Sequence, residues 1–157
     1  MKGIIIDEGF KFYTDMRLIL APIEDIAARY NWLVTNHECY WEKWAKFENE
    51  NGYAWLSGSE LLDFVKTGGI QFVWAVFSGF QSHIPLEKIL EYDRPYADGY
   101  SGFWKNPISL QHPLAEIEIV AFDSTFTLCI AKDEKVIDAL TSCFPQAKDL
   151  EEFNSET

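Results

Sequence analysis

The chain has 157 residues, of which 48% are hydrophobic and 16% aromatic, so it is long and apolar enough for one domain with a buried core. This composition excludes a disordered chain. With 13 basic and 25 acidic side chains, the net charge is -12, which argues against direct binding to nucleic acid or to an anionic membrane surface and favours a basic partner.

The N-terminal third is predicted to contain short strands and helices. Gly3–Asp7 is an apolar run typical of a strand, and apolar residues near helical spacing predict a helix over about 10–20 that is limited by Pro22. A second helix is predicted over Ile23–Arg29, with acidic residues in its first turn, where the helix dipole favours them. The strand-forming residues of Asn31–Val34 predict the next strand.

Residues 37–55 allow two interpretations. Trp41, Trp44 and Glu48 suit one face of a helix, whereas Asn51-Gly52, flanked by aromatic residues, is typical of a hairpin turn. We expect an irregular strand or helix, followed by a hairpin-like turn.

Ser57 and Glu60 have the spacing of a capping box. In this motif the serine hydroxyl accepts from the glutamate amide, and the glutamate side chain accepts from the serine amide. The sequence therefore predicts a helix that begins at this box and ends at Gly68-Gly69, where a left-handed residue costs little.

Ile70–Phe77 is almost entirely apolar and does not alternate, which is typical of a strand buried on both faces and therefore central in the sheet. Gly79 is expected to end this strand. Pro85 then suits the first turn of a helix that extends through Tyr92.

Residues 93–113 have neither a helical nor a strand period and predict a long loop. Loops longer than about 12–15 residues are uncommon in compact domains, and they are usually functional or disordered. The aromatic residues in this segment argue against disorder. The loop is therefore either part of a binding surface or a cover over the core.

A hairpin of two strands, Ala115–Phe122 and Phe126–Ala131, is predicted to turn at Asp123-Ser124-Thr125. Successive strand residues point to opposite faces, so the register decides which side chains share a face. Placing Ile119 opposite Ile130 gives one continuous apolar face. The opposite face is acidic at one end and is expected to be partly covered and partly solvated.

Asp133 is expected to cap a helix that ends before Pro145. The apolar face of this helix comprises Val136, Ile137, Leu140 and Phe144. An acidic tail follows from about Lys148, with a short turn around Leu150 and Phe153. We therefore predict a single α+β domain over residues 1–157, with a mainly antiparallel sheet and flanking helices.

Nothing in the sequence predicts a metal or cofactor site. His37-Glu38-Cys39 has metal-binding residue types, but neighbours on a strand face opposite ways and no second pair at ligand spacing follows. Cys39, Cys129 and Cys143 lack metal or redox spacing and are expected to be reduced. We predict no metal, no cofactor and no catalytic residue.

A cytoplasmic location is predicted from the N-terminus and the hydropathy pattern. The first residues are too acidic and their apolar run too short for a signal peptide. No apolar run approaches the roughly 20 residues needed to cross a bilayer, so no membrane partner is expected.

Glu116 and Glu118 are the nearest approach to a catalytic pair. On one strand face they lie about 7 Å apart, a separation compatible with glycosidase chemistry. Alternating glutamates more often form a solvated strand face. A small hydrolase using this pair or a Cys–His site is one alternative function, and a sugar- or small-ligand-binding module using exposed aromatic residues is another.

Acidic and aromatic residues concentrate in segments 40–55 and 92–104. Trp and Tyr are common in interface hot spots, and opposite charges speed association, so these segments suit binding to a basic protein. Carboxylates would supply the charge and aromatic rings the anchors. The residues in this hypothesis are Glu48, Glu50, Asp93, Tyr96, Asp98, Tyr100 and Trp104.

Three stretches carry a resemblance to known proteins. They are YNWLVTNHE at Tyr30–Glu38, IQFVWAVFSGF at Ile70–Phe80, and Ala115–Asn154, with its Phe-Asp-Ser turn, Lys-Asp, helix, Phe-Pro and Asp-Leu-Glu-x-x-Asn tail. In these the chain resembles small cytoplasmic immunity proteins of bacterial polymorphic toxin systems, including contact-dependent inhibition. The resemblance implies a non-enzymatic protein that binds and blocks a cognate toxin, often a nuclease. No toxin-binding residue is carried over from these motifs.

Overall fold

A computed structural model describes residues 1–10, 14–39, 44, 46–67 and 71–156. The described residues form a single α+β domain, as predicted, in which seven strands pair antiparallel in one sheet. The strands are β1 (Lys2–Ile6), β2 (Tyr30–Cys39), β3 (Ala54–Ser57), β4 (Phe72–Gln81), β5 (Ile117–Phe122), β6 (Phe126–Ala131) and β7 (Lys148–Asp149). The α-helices are α1 (Met16–Leu20), α2 (Glu24–Ala27), α3 (Gly58–Lys66), α4 (Leu86–Ile89), α5 (Glu134–Cys143) and α6 (Leu150–Glu156), and 3-10 turns span Ala21–Ile23 and Gly102–Trp104.

The strands lie in the order β3-β2-β4-β5-β6-β1-β7. Strand β4 is therefore internal, as its unbroken apolar run predicted. The first strand of the chain lies between β6 and β7, both of which come from the C-terminal part of the sequence. None of the helices in the described ranges is long and apolar enough to cross a membrane.

One side of the sheet, which we call the helix face, is covered by α1, α3 and α5. Trp32, Phe77 and Ile119 point to this side and are buried in one cluster with residues of these helices. Helix α3 begins with the predicted capping box, since Ser57 Oγ accepts from the Glu60 amide and Glu60 Oε1 accepts from the Ser57 amide. Helix α5 is capped by Asp133, also as predicted.

The other side, the loop face, is covered mainly by residues 93–113 together with α4 and α6. Val76, Val120 and Leu128 point to this side and pack beneath Phe103 and Ile108 of the loop. Because both faces of the sheet are covered, the central strands are buried on both sides.

The predicted register of the hairpin is wrong by one residue. Ile119 lies opposite Cys129, and Glu118 lies opposite Ile130. The apolar pattern could not select the register because both faces are buried. The turn selects it instead, since Phe122 pairs with Phe126 across a three-residue loop in which Asp123 and Ser124 have φ values of 51° and 56°.

Several predicted boundaries differ from the structure. The helix expected over 10–20 begins only at Met16, with Asp15 as its N-cap, and the α-helix expected over Ile23–Arg29 spans only Glu24–Ala27. Strand β2 extends beyond the predicted Asn31–Val34, from Tyr30 to Cys39. Strand β4 continues through Gly79 to Gln81, and a Cβ at Gly79 would come within 2.6 Å of Ile117 Cγ2, so this glycine makes room for packing between strands. The helix after Pro85 ends at Ile89 rather than at Tyr92.

The acidic tail contains more structure than a short turn. Lys148–Asp149 adds strand β7 to the edge of the sheet, and helix α6 follows it. Leu150 is fully buried and Phe153 packs against the loop-face core. Strand β7 has only two residues and no apolar alternation, so the sequence offered no period from which to predict it.

The hairpin-like turn after β2 is confirmed. Gly52 has φ of 81° and its amide donates to the carbonyl of Asn49 at 3.0 Å. Four predictions fall outside the described residues, wholly or in part. These are residues 11–13 of the helix expected over 10–20, Trp41 in the ambiguous segment, the helix end at Gly68-Gly69 and the strand residue Ile70.

Candidate binding surface

Asn36 lies within β2, at the irregularity in its pairing with β4 between Thr35 and Glu38, and its side chain binds the start of the long loop. Its Oδ1 accepts hydrogen bonds from the backbone amides of Ala97 at 2.8 Å and Asp98 at 3.0 Å. Asn36 has φ of 49°, a left-handed conformation that asparagine adopts more readily than most residues. The loop is therefore attached to the sheet at a strand position that favours asparagine for two independent reasons.

The turn between β2 and β3 lies beside the same part of β2. Glu48 pairs antiparallel with Ala54, and its Oε1 lies 2.9 Å from Nε2 of His37. The His37 side chain is only 5% exposed, and its ring nitrogens make no well-aligned hydrogen bond within the described residues. The short contact with Glu48 therefore becomes an ion pair only when the imidazole is protonated.

Arg94 joins this turn to the long loop. Its guanidinium donates to the carbonyl oxygen of Asn51, and its Cζ lies 4.8 Å from the ring centroid of Tyr53. A guanidinium above an aromatic face is a favourable cation–π contact. The two segments that the sequence singled out separately thus meet at one end of the sheet.

The surface formed there is acidic and carries an exposed ring. We call it the acidic-aromatic surface and define it as Glu48, Glu50, Asp93, Tyr96 and Asp98, all of which are exposed. Tyr96 is 45% exposed, which is high for a large aromatic side chain. Five of the seven residues of the binding hypothesis therefore belong to one region.

Tyr100 and Trp104 are less accessible. Tyr100 is partly buried between Tyr96 and Phe103, with ring centroids at 5.2 and 4.7 Å. Trp104 lies farther along the loop, against Phe122 and other aromatic residues at the tip of the hairpin. This position indicates that Trp104 packs the loop onto the sheet and is less suited to contact a partner.

The long loop is both a cover and a surface. Ala97, Phe103 and Ile108 are buried against the sheet, whereas residues 93, 94, 96 and 98 are exposed. Helix α6 binds the middle of the loop, because the Asn154 side chain donates to the Phe103 carbonyl at 2.9 Å. The buried residues hold the exposed ones in a defined conformation.

His112 has a structural role in the loop. Its ring is buried, its Nδ1 accepts from the Leu114 amide at 3.1 Å, and its Nε2 lies 2.9 Å from the carbonyl oxygen of Ile89. These partners require the neutral tautomer with the proton on Nε2. Burial lowers the pKa of His112, which also favours the neutral ring.

Glu118 is a buried residue that the sequence interpretation assigned to a partly solvated face. It is 0% exposed, and its carboxylate accepts from the Gln111 amide at 2.7 Å. Burial raises the pKa of Glu118 to about 7, against the opposing effect of backbone hydrogen bonds from Gln111 and His112. The apolar residues on both sides of Glu118 in the strand were the one sequence signal for its burial.

Glu116 and Glu118 do not form an accessible carboxylate pair. Glu118 is buried, while Glu116 is half-buried and accepts from the Gln81 side chain at 2.8 Å. The Cys129 thiol points to the helix face, and burial raises its pKa far above the usual value. Within the described ranges, no group of three or more His, Cys, Asp or Glu side chains could hold a metal ion.

Comparison with known proteins identifies no relative. The chain matches no family model, no curated protein and no solved structure.

Proposed function

We propose that this chain is a non-enzymatic immunity protein that neutralises a basic toxin domain by stoichiometric binding. The observation that carries the proposal is the contact of Arg94 with Asn51 and Tyr53, which joins the two acidic and aromatic segments. The sequence resemblance to immunity proteins of polymorphic toxin systems points to the same class of partner.

The chemistry of the acidic-aromatic surface favours a basic protein. Four exposed carboxylates, in a chain with net charge -12, create a negative potential that attracts a cationic partner and speeds association. Tyr96 offers a ring with a polar hydroxyl, a type of side chain enriched in interface hot spots.

A nuclease is the toxin class that fits these charges best. Nucleases bind phosphate groups through cationic side chains, so carboxylates on an inhibitor can occupy the same positions. An inhibitor of this kind blocks the substrate site by occupying it and needs no catalytic group of its own. We expect the bound carboxylates to come from the two segments joined by Arg94.

The test is binding to the product of the adjacent toxin gene. The two proteins should co-purify at equal stoichiometry, and the complex should lack the activity of the free toxin. Association should slow as salt is raised, because mobile ions screen exposed charges over about 8–10 Å at moderate ionic strength. Absence of binding at micromolar concentration would refute the proposal.

A further inference from the structure

Glu118 occupies an unusual position beneath the long loop. In the sheet it lies between Ser78 on β4 and Ile130 on β6, and it points to the loop face. Both carboxylate oxygens lie near the Gln111 amide, at 2.7 and 3.1 Å. No basic side chain forms an ion pair with this carboxylate in the part of the chain that the structure describes.

A chain of hydrogen bonds connects this buried group to the exposed surface. Glu118 accepts a hydrogen bond from the backbone amide of Gln111. The side chain of Gln111 in turn both accepts from and donates to the backbone of Tyr96. The Tyr96 amide donates to Gln111 Oε1 at 3.1 Å, and Gln111 Nε2 donates to the Tyr96 carbonyl at 2.8 Å. The carboxylate thus acts on the most exposed aromatic residue of the loop through a single intervening residue.

None of the titratable groups next to Glu118 offsets its negative charge near neutral pH. Tyr100 lies near it on the loop, the backbone amide of His112 donates to it, and Cys129 lies on the neighbouring strand β6. Burial raises the pKa of both Tyr100 and Cys129 and lowers that of His112, so all three stay uncharged. The Oγ of Ser78, on the adjacent strand, is buried and has no hydrogen-bond partner within the described residues. An ionised Glu118 therefore receives backbone hydrogen bonds but no compensating positive charge.

We propose that Glu118 is a positioning residue whose carboxylate, through Gln111, holds Tyr96 and the surrounding loop in place, and that this hold weakens as pH rises. A closed loop keeps the carboxylate away from water, which favours the protonated form. An open loop hydrates it and returns its pKa to the ordinary range. The closed state therefore binds more protons than the open state, and raising the pH favours opening.

The size of the effect follows from the pKa of the closed state. Burial raises the pKa of Glu118 from 4.5 to about 7. Each unit of difference in pKa corresponds to a tenfold change in the opening equilibrium, so opening becomes about 300-fold more favourable in total as the pH rises from well below 4.5 to well above 7. The loop carries Tyr96, Asp98 and Tyr100, which belong to the residues proposed to bind the partner. If the loop opens at high pH, binding of the partner should therefore weaken, a consequence that rests on the proposed function.

Hydrogen exchange followed by NMR tests the inference without any partner. Protection factors of the Gln111 and His112 amides, which correct for the intrinsic pH dependence of exchange, are measured from pH 5 to pH 8. In the wild-type chain they should fall steeply with pH, while the amide of Ala121 in β5 stays more strongly protected. In Glu118→Gln they should be independent of pH, because the amide cannot ionise.

Glu116→Gln is the matched control, since it removes the same charge from a half-buried position directly before the strand that carries Glu118. It should retain the wild-type pH dependence.

The variant Gln111→Ala separates the contact between Glu118 and Gln111 from the contact between Gln111 and Tyr96. It removes the side chain that holds Tyr96 but keeps the backbone amide that Glu118 accepts, so the Tyr96 amide should lose protection while the Gln111 amide keeps its pH dependence.

A second measurement needs no variant. Titration of the Glu118 carboxyl carbon should give a midpoint near 7, and the amide shifts of Gln111 and His112 should follow the same midpoint. A midpoint near 4.5, or pH-independent protection in the wild-type chain, would overturn the inference. So would an unchanged pH dependence in a folded Glu118→Gln variant.

Discussion

Asn36 and Ala97 are 61 residues apart in the sequence, yet the Asn36 side chain accepts a hydrogen bond from the Ala97 amide at 2.8 Å. The same oxygen accepts from the next amide, that of Asp98. One side chain of β2 therefore orders the loop segment that carries an exposed carboxylate and an exposed tyrosine. Sequence-distant acidic segments become neighbours through this contact and through Arg94.

Replacing Asn36 should release the start of the loop without unfolding the sheet. Asn36→Gly removes both hydrogen bonds and tolerates the positive φ, so we expect a loss of about 1–2 kcal/mol in unfolding free energy. The Ala97 and Asp98 amides should lose protection from hydrogen exchange. Asn36→Asp keeps the acceptor and should retain that protection, and equal exchange in the two variants would contradict the assigned contact.

Charge removal on the acidic-aromatic surface should slow binding of a basic partner. We expect the combined variant Glu48→Gln, Glu50→Gln, Asp93→Asn, Asp98→Asn to lower the association rate constant by about tenfold or more at low salt, with a smaller difference at high salt. The matched control neutralises four exposed acids elsewhere: Asp63, Glu134, Asp138 and Glu152. Equal slowing by both sets, measured by stopped flow, would show that net charge alone matters.

Substitutions at Tyr96 and Trp104 should distinguish an effect on partner binding from an effect on folding stability. Tyr96 is exposed, so Tyr96→Ala should change the unfolding free energy by no more than about 0.5 kcal/mol while weakening the proposed complex. Trp104 packs on Phe122 with ring centroids 5.2 Å apart, so Trp104→Ala should cost about 2 kcal/mol. Denaturant melts and binding titrations of the two variants check this division, and the reverse pattern would exclude the proposed surface.

Glu118 should make global stability depend on pH. Its pKa is raised in the folded chain, so the folded state binds more protons than the unfolded state between pH 4.5 and pH 7, and stability from this group falls as pH rises through that window. A shift of this size corresponds to about 3 kcal/mol. Urea unfolding at pH 5 and pH 8 should show a larger loss in the wild-type chain than in Glu118→Gln. Glu116→Gln should behave like the wild type.

Gly58 should not accept a side chain. An added Cβ would overlap the backbone oxygen of Ala27, so Gly58→Ala must push α3 away from the end of α2. Overpacking of this kind costs about 1–3 kcal/mol, which would lower the melting temperature. Asp63→Ala, an exposed change in the same helix, should stay within about 0.5 kcal/mol of the wild type.

Much of the local structure could be predicted because its signals lie within a few residues. The capping box needs only Ser57 and Glu60, and the start of α5 needs only Asp133 and the apolar spacing after it. The candidate residues could be proposed from composition, but their grouping could not. Nothing local indicates that Arg94 reaches Asn51, or that Trp104 packs on the hairpin while Tyr96 stays exposed.

The α+β class, the internal strand β4 and the existence of the hairpin could all be predicted from the sequence, because caps, turns and hydrophobic runs act through neighbouring residues. The burial of Glu118 is a property of the tertiary structure, because it depends on the loop that covers the second face of the sheet. The same cover removes the difference between the two faces from which the register of the hairpin was predicted, and the turn sets that register instead. When both faces are apolar, alternation no longer distinguishes inside from outside, and long-range packing and turn geometry make the choice.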